Sequence, residues 1–95
     1  MTQVIVKPET ASNVRRLLQA AVMHELKVLE VGIEKTVRRL KRFEQQFNQE
    51  TFTFYQQFQA GEMGDSIEYI KWAGEYETLL QLQQDFEDLS ETQLC

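Results

Sequence analysis

Cysteine is almost missing from this chain of 95 residues. The single one, Cys95, is the last residue, so no disulfide framework can be drawn and the thiol reads as exposed and incidental. Histidine is equally scarce. His24 stands alone and off the apolar stripe of its segment, which reads as a solvated surface position. With no second histidine and no nearby cysteine, neither a zinc site nor a Cys/His pair can be assembled. No apolar run approaches the roughly 20 residues a membrane span needs. The N-terminus lacks the basic-then-apolar profile of a signal peptide, and a cytosolic protein is the default expectation. Gly61 and Gly64 sit among acids rather than before a Lys-Ser/Thr pair, so they form no phosphate loop. The carboxylates of the last third are plentiful but dispersed. Glu68 and Glu75 are two turns apart and make only a weak metal-bridging pair. The scarcity of catalytic groups points away from an enzyme, and no cofactor or metal is expected.

What the chain has is a lopsided charge. Residues 1–48 carry nine Lys/Arg against five Asp/Glu, a balance of +4. Residues 49–95 carry one base, Lys71, against ten acids, a balance of −9. The whole-chain value of −5 hides that split. An acidic C-terminal half suits a cationic partner, and a basic N-terminal half suits phosphates. A hydrophobic content of 42% is enough for a core. Domains this small bury a low fraction of their surface, so a second copy or a bound partner is expected.

Thr2 to Lys7 reads as one short strand, rich in β-branched residues at Val4, Ile5 and Val6 and stopped by Pro8. Residues 1–11 are therefore expected to be a strand-like arm, pairing with its own copy in a dimer or remaining loose. From Ser12 to Phe47 the pattern is helical. Val14, Leu18, Val22, Leu26, Leu29, Ile33, Val37, Leu40, Phe43 and Phe47 recur at steps of three or four. Thr10 or Ser12 can cap the start. Gly32 lies in the middle of the pattern, where a kink or a close helix crossing would account for it. A continuous rod of about 36 residues would measure roughly 54 Å, which outruns the core of a monomer and calls for another helix beside it.

A short helix is expected from Phe52 to Ala60, capped by Asn48 or Thr51 and closed by Gly61. Asp65 with Glu68 resembles a capping box, opening a third helix from Ser66 to Leu89. Trp72, Tyr76, Leu79, Leu82, Phe86 and Leu89 step along it close to a coiled-coil seam. Six aromatics fall between Phe43 and Phe58 and read as the packing hub of the turn, with a ligand cage as the sharper alternative. The fold class that follows is all-α: one domain built as a long helical hairpin, two long helices with a short helix at the turn, expected to dimerise.

The cluster Arg38, Arg39, Lys41, Arg42 is the strongest local signal for nucleic acid. The competing use is pairing across the hairpin with the early acids of the last helix. A strand followed by a helix is similar to ribbon-helix-helix DNA-binding arms. Gln3 and Lys7 would then project opposite Val4 and Val6, with Arg15 and Arg16 following. That fold needs a tight turn and a second short helix, whereas this helical pattern runs on to Phe47.

The stretch from Glu25 to Gln83 carries ELKVLEVGIEKTVRRLKRFEQQF and then FYQQFQAGEMGDSIEYIKWAGEYETLLQL. It resembles a family of short helical bacterial and archaeal proteins encoded beside small toxins of the TumE type. The resemblance covers about two-thirds of the chain and is most specific from Phe54 to Leu82. It implies an antitoxin, a noncatalytic protein that binds a cognate toxin, often a ribonuclease, and blocks it. In such proteins an N-terminal segment often binds operator DNA. On that reading Glu68, Glu75, Glu77, Asp85, Glu87 and Asp88 cover a cationic surface, anchored by Tyr69, Trp72 and Tyr76. Two other readings stay open: a DNA-binding regulator using residues 1–48, and a coiled-coil adaptor.

Overall fold

The structure, a computed structural model, describes residues 8–92. Three helices account for nearly all of them: α1 (Pro8–Phe47), α2 (Thr51–Gln59) and α3 (Ile67–Ser90). The all-helical hairpin with a short helix at its turn is as the apolar periodicity required. The expected strand, Thr2–Lys7, lies outside the described residues. Residues 8–11 of the expected arm are helical instead, and no strand occurs among the described residues. Pro8 is therefore a helix starter. Its fixed φ suits the first helical position, where its missing N–H costs nothing. Glu9 in the same turn complements the helix dipole.

α1 runs without interruption through Gly32, so no kink is needed to explain that glycine. The Thr36 hydroxyl donates to the Gly32 carbonyl at 2.8 Å, which satisfies a buried polar side chain inside its own helix. Asn48, at φ 52°, ends α1, and the Gln49 N–H reaches back to the Glu44 carbonyl. Asn is one of the few non-glycine residues that tolerate this left-handed position. Asn48 thus closes α1 instead of capping α2. Position 50 is the N-cap of α2, and it makes no side-chain cap. The Glu44 carboxylate does that work from a distance, accepting from the Thr51 N–H at 2.8 Å. At the far end Gly61, at φ +77°, follows Ala60, with Gly61 N–H on Phe58 and Glu62 N–H on Gln57. That is the Schellman pattern expected of a glycine there. The cap of α3 shifts by one from the sequence expectation. Ser66, not Asp65, accepts from the Tyr69 N–H at 3.2 Å. Glu68 is thereby one position too early for a capping box, though still favourable to the dipole.

The tightest packing lies where the three helices meet. Trp72 and Phe54 are fully buried and stack face to face, centroids 3.8 Å apart and 2° from parallel. Phe43 and Phe47 stack near-parallel on the same indole at 5.7 and 5.4 Å. The indole N–H donates to the Thr51 hydroxyl at 3.0 Å, giving a buried polar group its partner. Leu40 and Ala73 complete this cluster, and Phe58, Tyr55, Tyr69, Tyr76 and Leu79 pack against it. Five of the six aromatics in the Phe43–Phe58 stretch serve the hub. Phe52 is the exception, 59% exposed.

Beyond the hub the seam thins. Leu29 and Thr36 are buried along α1, and Leu79, Leu82, Phe86 and Leu89 are half-buried along α3. Leu89, Ser90 and Thr92 line one groove with Gln19, Val22, Met23 and Leu26, so α3 gives out at that level. Pro8–Leu18 extends beyond it by roughly 16 Å of helix. Val14 and Leu18, expected on the buried stripe, are exposed for that reason. The molecule measures 60 × 29 × 19 Å with a radius of gyration of 19.9 Å, against about 12 Å for a compact domain of this length.

α2 is tied to α3 by a second polar contact. The Tyr55 hydroxyl donates to the Glu77 carboxylate at 2.9 Å and accepts from Gln59 at 2.7 Å. The phenol is held above its ordinary value, first by the Glu77 bond and then by desolvation. A raised folded-state pKa means the contribution is present below about pH 10 and is lost as pH climbs through the raised value. Tyr55→Phe should therefore flatten the alkaline part of a melting-temperature profile. Identical profiles above pH 10 in the two proteins would show that the bond is not felt. Thr51→Val, which strands the indole N–H, should cost about 1–3 kcal/mol in urea unfolding. Trp72→Ala should cost about 3–5 kcal/mol. An unchanged urea midpoint for Thr51→Val would remove this hydrogen bond from the account.

Candidate protein-binding surface

The aromatic anchors expected on α3 are inside. Trp72 has no exposed area, because it is the centre of the hub. This corrects its assignment as a contact for an outside partner. Tyr69 and Tyr76 are half-buried and committed to internal rings: Tyr69 to Phe47 and Phe54 at 5.3 and 5.6 Å, Tyr76 to Tyr55 at 4.8 Å. The physical reason is phase. All three belong to the stripe of α3 that faces α1 and α2.

The acids divide differently. Glu68, Glu77, Asp85, Glu87 and Asp88 are exposed. Glu77 is oriented by Tyr55, while Gln81 and Gln84 donate to Asp85 and Asp88 at 2.8 and 2.9 Å one turn on. Glu75 is half-buried and faces Arg39 at 3.6 Å, too long for a hydrogen bond, and its Oε2 has no hydrogen-bond partner. Among the described residues this is the one ion pair between helices. The expected cancellation of Arg38–Arg42 against α3 is therefore largely not made: of the cluster only Arg39 makes an ion pair with α3. The acids crowd the last turns of α3, which carry no base. There they oppose the partial negative charge of the helix C-terminus, an arrangement that costs each exposed acid a few tenths of a kcal/mol or more.

Alongside them lies an apolar row. Ile67 and Ile70 are 68% and 52% exposed. Gly74, one turn on, has nothing within 4 Å of where a Cβ would stand. A mid-helix glycine costs about 1 kcal/mol relative to alanine, and no contact inside the monomer requires this one. Ile67, Ile70, Gly74, Glu77, Gln81, Gln84 and Asp88 fall at alternating steps of three and four, so they share the outward face. That face begins apolar and ends acidic. The signal for Gly74 was available in the sequence but needed the structure to show that no packing accounts for it.

The proposed phosphate-contacting residues are not gathered. Gln3 and Lys7 lie outside the described residues. Arg15 and Arg16 precede Arg38 by more than twenty positions on one continuous helix, a separation of roughly 33 Å. Arg16 bonds Asn13. Arg38 and Arg42 share an exposed ridge with Lys35, and Lys41 points away from it by helical phase. Arg39, Arg42 and Lys71 line a cleft of about 680 Å³ with Glu68 and Glu75, a mixture of charge that favours no one ligand.

Among the described residues no group of three His, Cys, Asp or Glu side chains could hold a metal ion. None of their helices is long and apolar enough to cross a membrane. The arrangement offers surfaces for contact. Compared with protein-family models, curated proteins and solved structures, the chain matches none.

Proposed function

We propose that this protein is an antitoxin, a noncatalytic module that neutralises a small cationic, RNA-targeting toxin by binding it directly in a prokaryotic cytoplasm. The observation that carries the reading is the outward face of α3. Two exposed isoleucines and a glycine without packing neighbours lead there into uncompensated acids. Apolar anchors supply affinity, and acids steer a basic partner and lose their effect as salt rises. The toxin identity draws on the resemblance of residues 25–83, and the geometry supports the broader class, protein binding without catalysis. The contact set on this reading is Ile67, Ile70, Glu77, Asp85 and Asp88, with the Trp72 ring left to the core.

Co-expression with the product of the adjacent gene tests it. That product should arrest growth alone and be silenced by this chain in a complex that survives co-purification. Ile67→Ala with Ile70→Ala should weaken the complex by roughly 30-fold, the scale of one lost hot spot. The melting temperature should stay nearly unchanged, since both side chains are exposed. A harmless neighbour, or no recoverable complex, ends the antitoxin reading.

A second reading, a DNA-binding regulator, rests on the exposed ridge of Arg38 and Arg42, neither of which makes an ion pair among the described residues. Arg38→Ala with Arg42→Ala should then lower DNA affinity and reduce the salt slope by about 2. An unaltered gel shift would dispose of it.

A further inference from the structure

α1 carries a second seam, distinct from the stripe that meets α3. Thr10, Val14, Leu17, Ala21, His24, Val28, Val31 and Lys35 recur at alternating steps of four and three. Every one of them is exposed. Leu17 and Val28 stand 51% and 48% open, Val14 and Val31 38% and 36%. By helical phase this row lies about 120° around α1 from Leu29, Thr36 and Leu40. It spans between three and four heptads, the length at which such a row makes a coiled coil. Among the described residues nothing covers it.

We infer that this seam docks on the same seam of a second copy, with the two α1 helices antiparallel. This surface goes beyond the antitoxin reading and does not depend on it. Three observations select this occupant and this direction. First, the row is self-complementary when reversed. Val14 meets the partner's Val31, Leu17 meets the partner's Val28, and Ala21 leaves room for the partner's His24. Second, the groove lined by Lys27, Val28, Val31, Gly32 and Lys35, about 380 Å³, falls opposite the projecting segment Pro8–Leu18 of the other copy in that register. Gly32 is one of the residues lining that groove. A Cβ there would make only an ordinary contact with Leu82 at 3.5 Å, so α3 does not demand the glycine. Third, charge decides the direction. A parallel pair would set Lys35 on the partner's Lys35 and His24 on the partner's His24. The antiparallel pair sets Lys35 beside the partner's Glu9 and Thr10. Each copy thereby sheathes the overhang that the other's α3 is too short to reach. The interface is isologous and closes on itself.

The full chain should behave in light scattering and sedimentation as an elongated dimer of twice 11.2 kDa. Leu17→Lys alone and Val28→Glu alone should each weaken self-association by roughly 30-fold or more. Both should keep the helical circular dichroism of the hairpin, since neither side chain is in the core. Mixing the two variants should restore a dimer, because Lys at position 17 then faces Glu at position 28 across the antiparallel seam. As a measurement that no folding defect can imitate, Val14→Cys with Val31→Cys, in a Cys95→Ser background, should cross-link between copies. Val14→Cys alone should not. A monomeric wild-type chain, a Leu17→Lys protein that still dimerises, or self-cross-linking of Val14→Cys alone would overturn the proposal. Failure of the mixed variants to pair would overturn its antiparallel register.

Discussion

The indole of Trp72 is the constraint on which the rest depends. From α3 it touches both other helices at once: Phe43 and Phe47 from α1, Phe54 face to face from α2, and a hydrogen bond to Thr51 at the start of α2. Stacking fixes the ring plane, and the bond fixes its rotation within that plane. With both set, α2 sits across the turn of the hairpin, and α3 leaves antiparallel to α1. The caps agree with this arrangement. Asn48 in the left-handed region and Glu44 on the Thr51 N–H turn the chain at the point where Thr51 must meet the indole. A residue first noticed as a partner anchor is therefore the keystone of the monomer.

From that keystone, order is spent unevenly along the rod. Large fully buried side chains occur only near the turn, half-buried ones continue along α3, and the first turns of α1 have none. Local stability follows the density of buried apolar contacts, so opening is cheapest at the end farthest from Trp72. An isolated helical stretch of this length is marginal in water. The two unpartnered faces differ in kind. The α1 seam is apolar along its length and reversible onto itself. The α3 face is apolar at one end and acidic at the other, and so suits something unlike itself.

Much of the fold was legible in the residues. Steps of three and four from Val22 to Phe47 and from Trp72 to Leu89 marked both long helices, and Gly61 marked the end of the short one. What escaped was decided by context. Pro8 reads as a strand stop after Val4-Ile5-Val6, yet a proline is also the best first residue of a helix, and the two roles look alike locally. Ser66 displaced Asp65 as cap because both side chains can accept and only chain direction separates them. Trp72 and Tyr76 looked like anchors because interface and core favour the same residue types. Their helical phase alone could not assign a face until the course of α3 beside α1 was known. The second seam of α1 was hidden because a wide apolar face and two adjacent narrow ones have nearly the same composition.

The left-handed turn at Asn48 has a consequence for how the chain ages. It joins a helix of 40 residues to one of 9, and Asn48 is exposed there. Of the two asparagines, Asn13 and Asn48, only Asn48 stands at positive φ. Changing the side chain to a carboxylate would retain a tolerated backbone shape while placing a new negative charge beside Glu44 and position 50, both already acidic. Like charge would then weaken the turn beside the hub, with no packing residue altered.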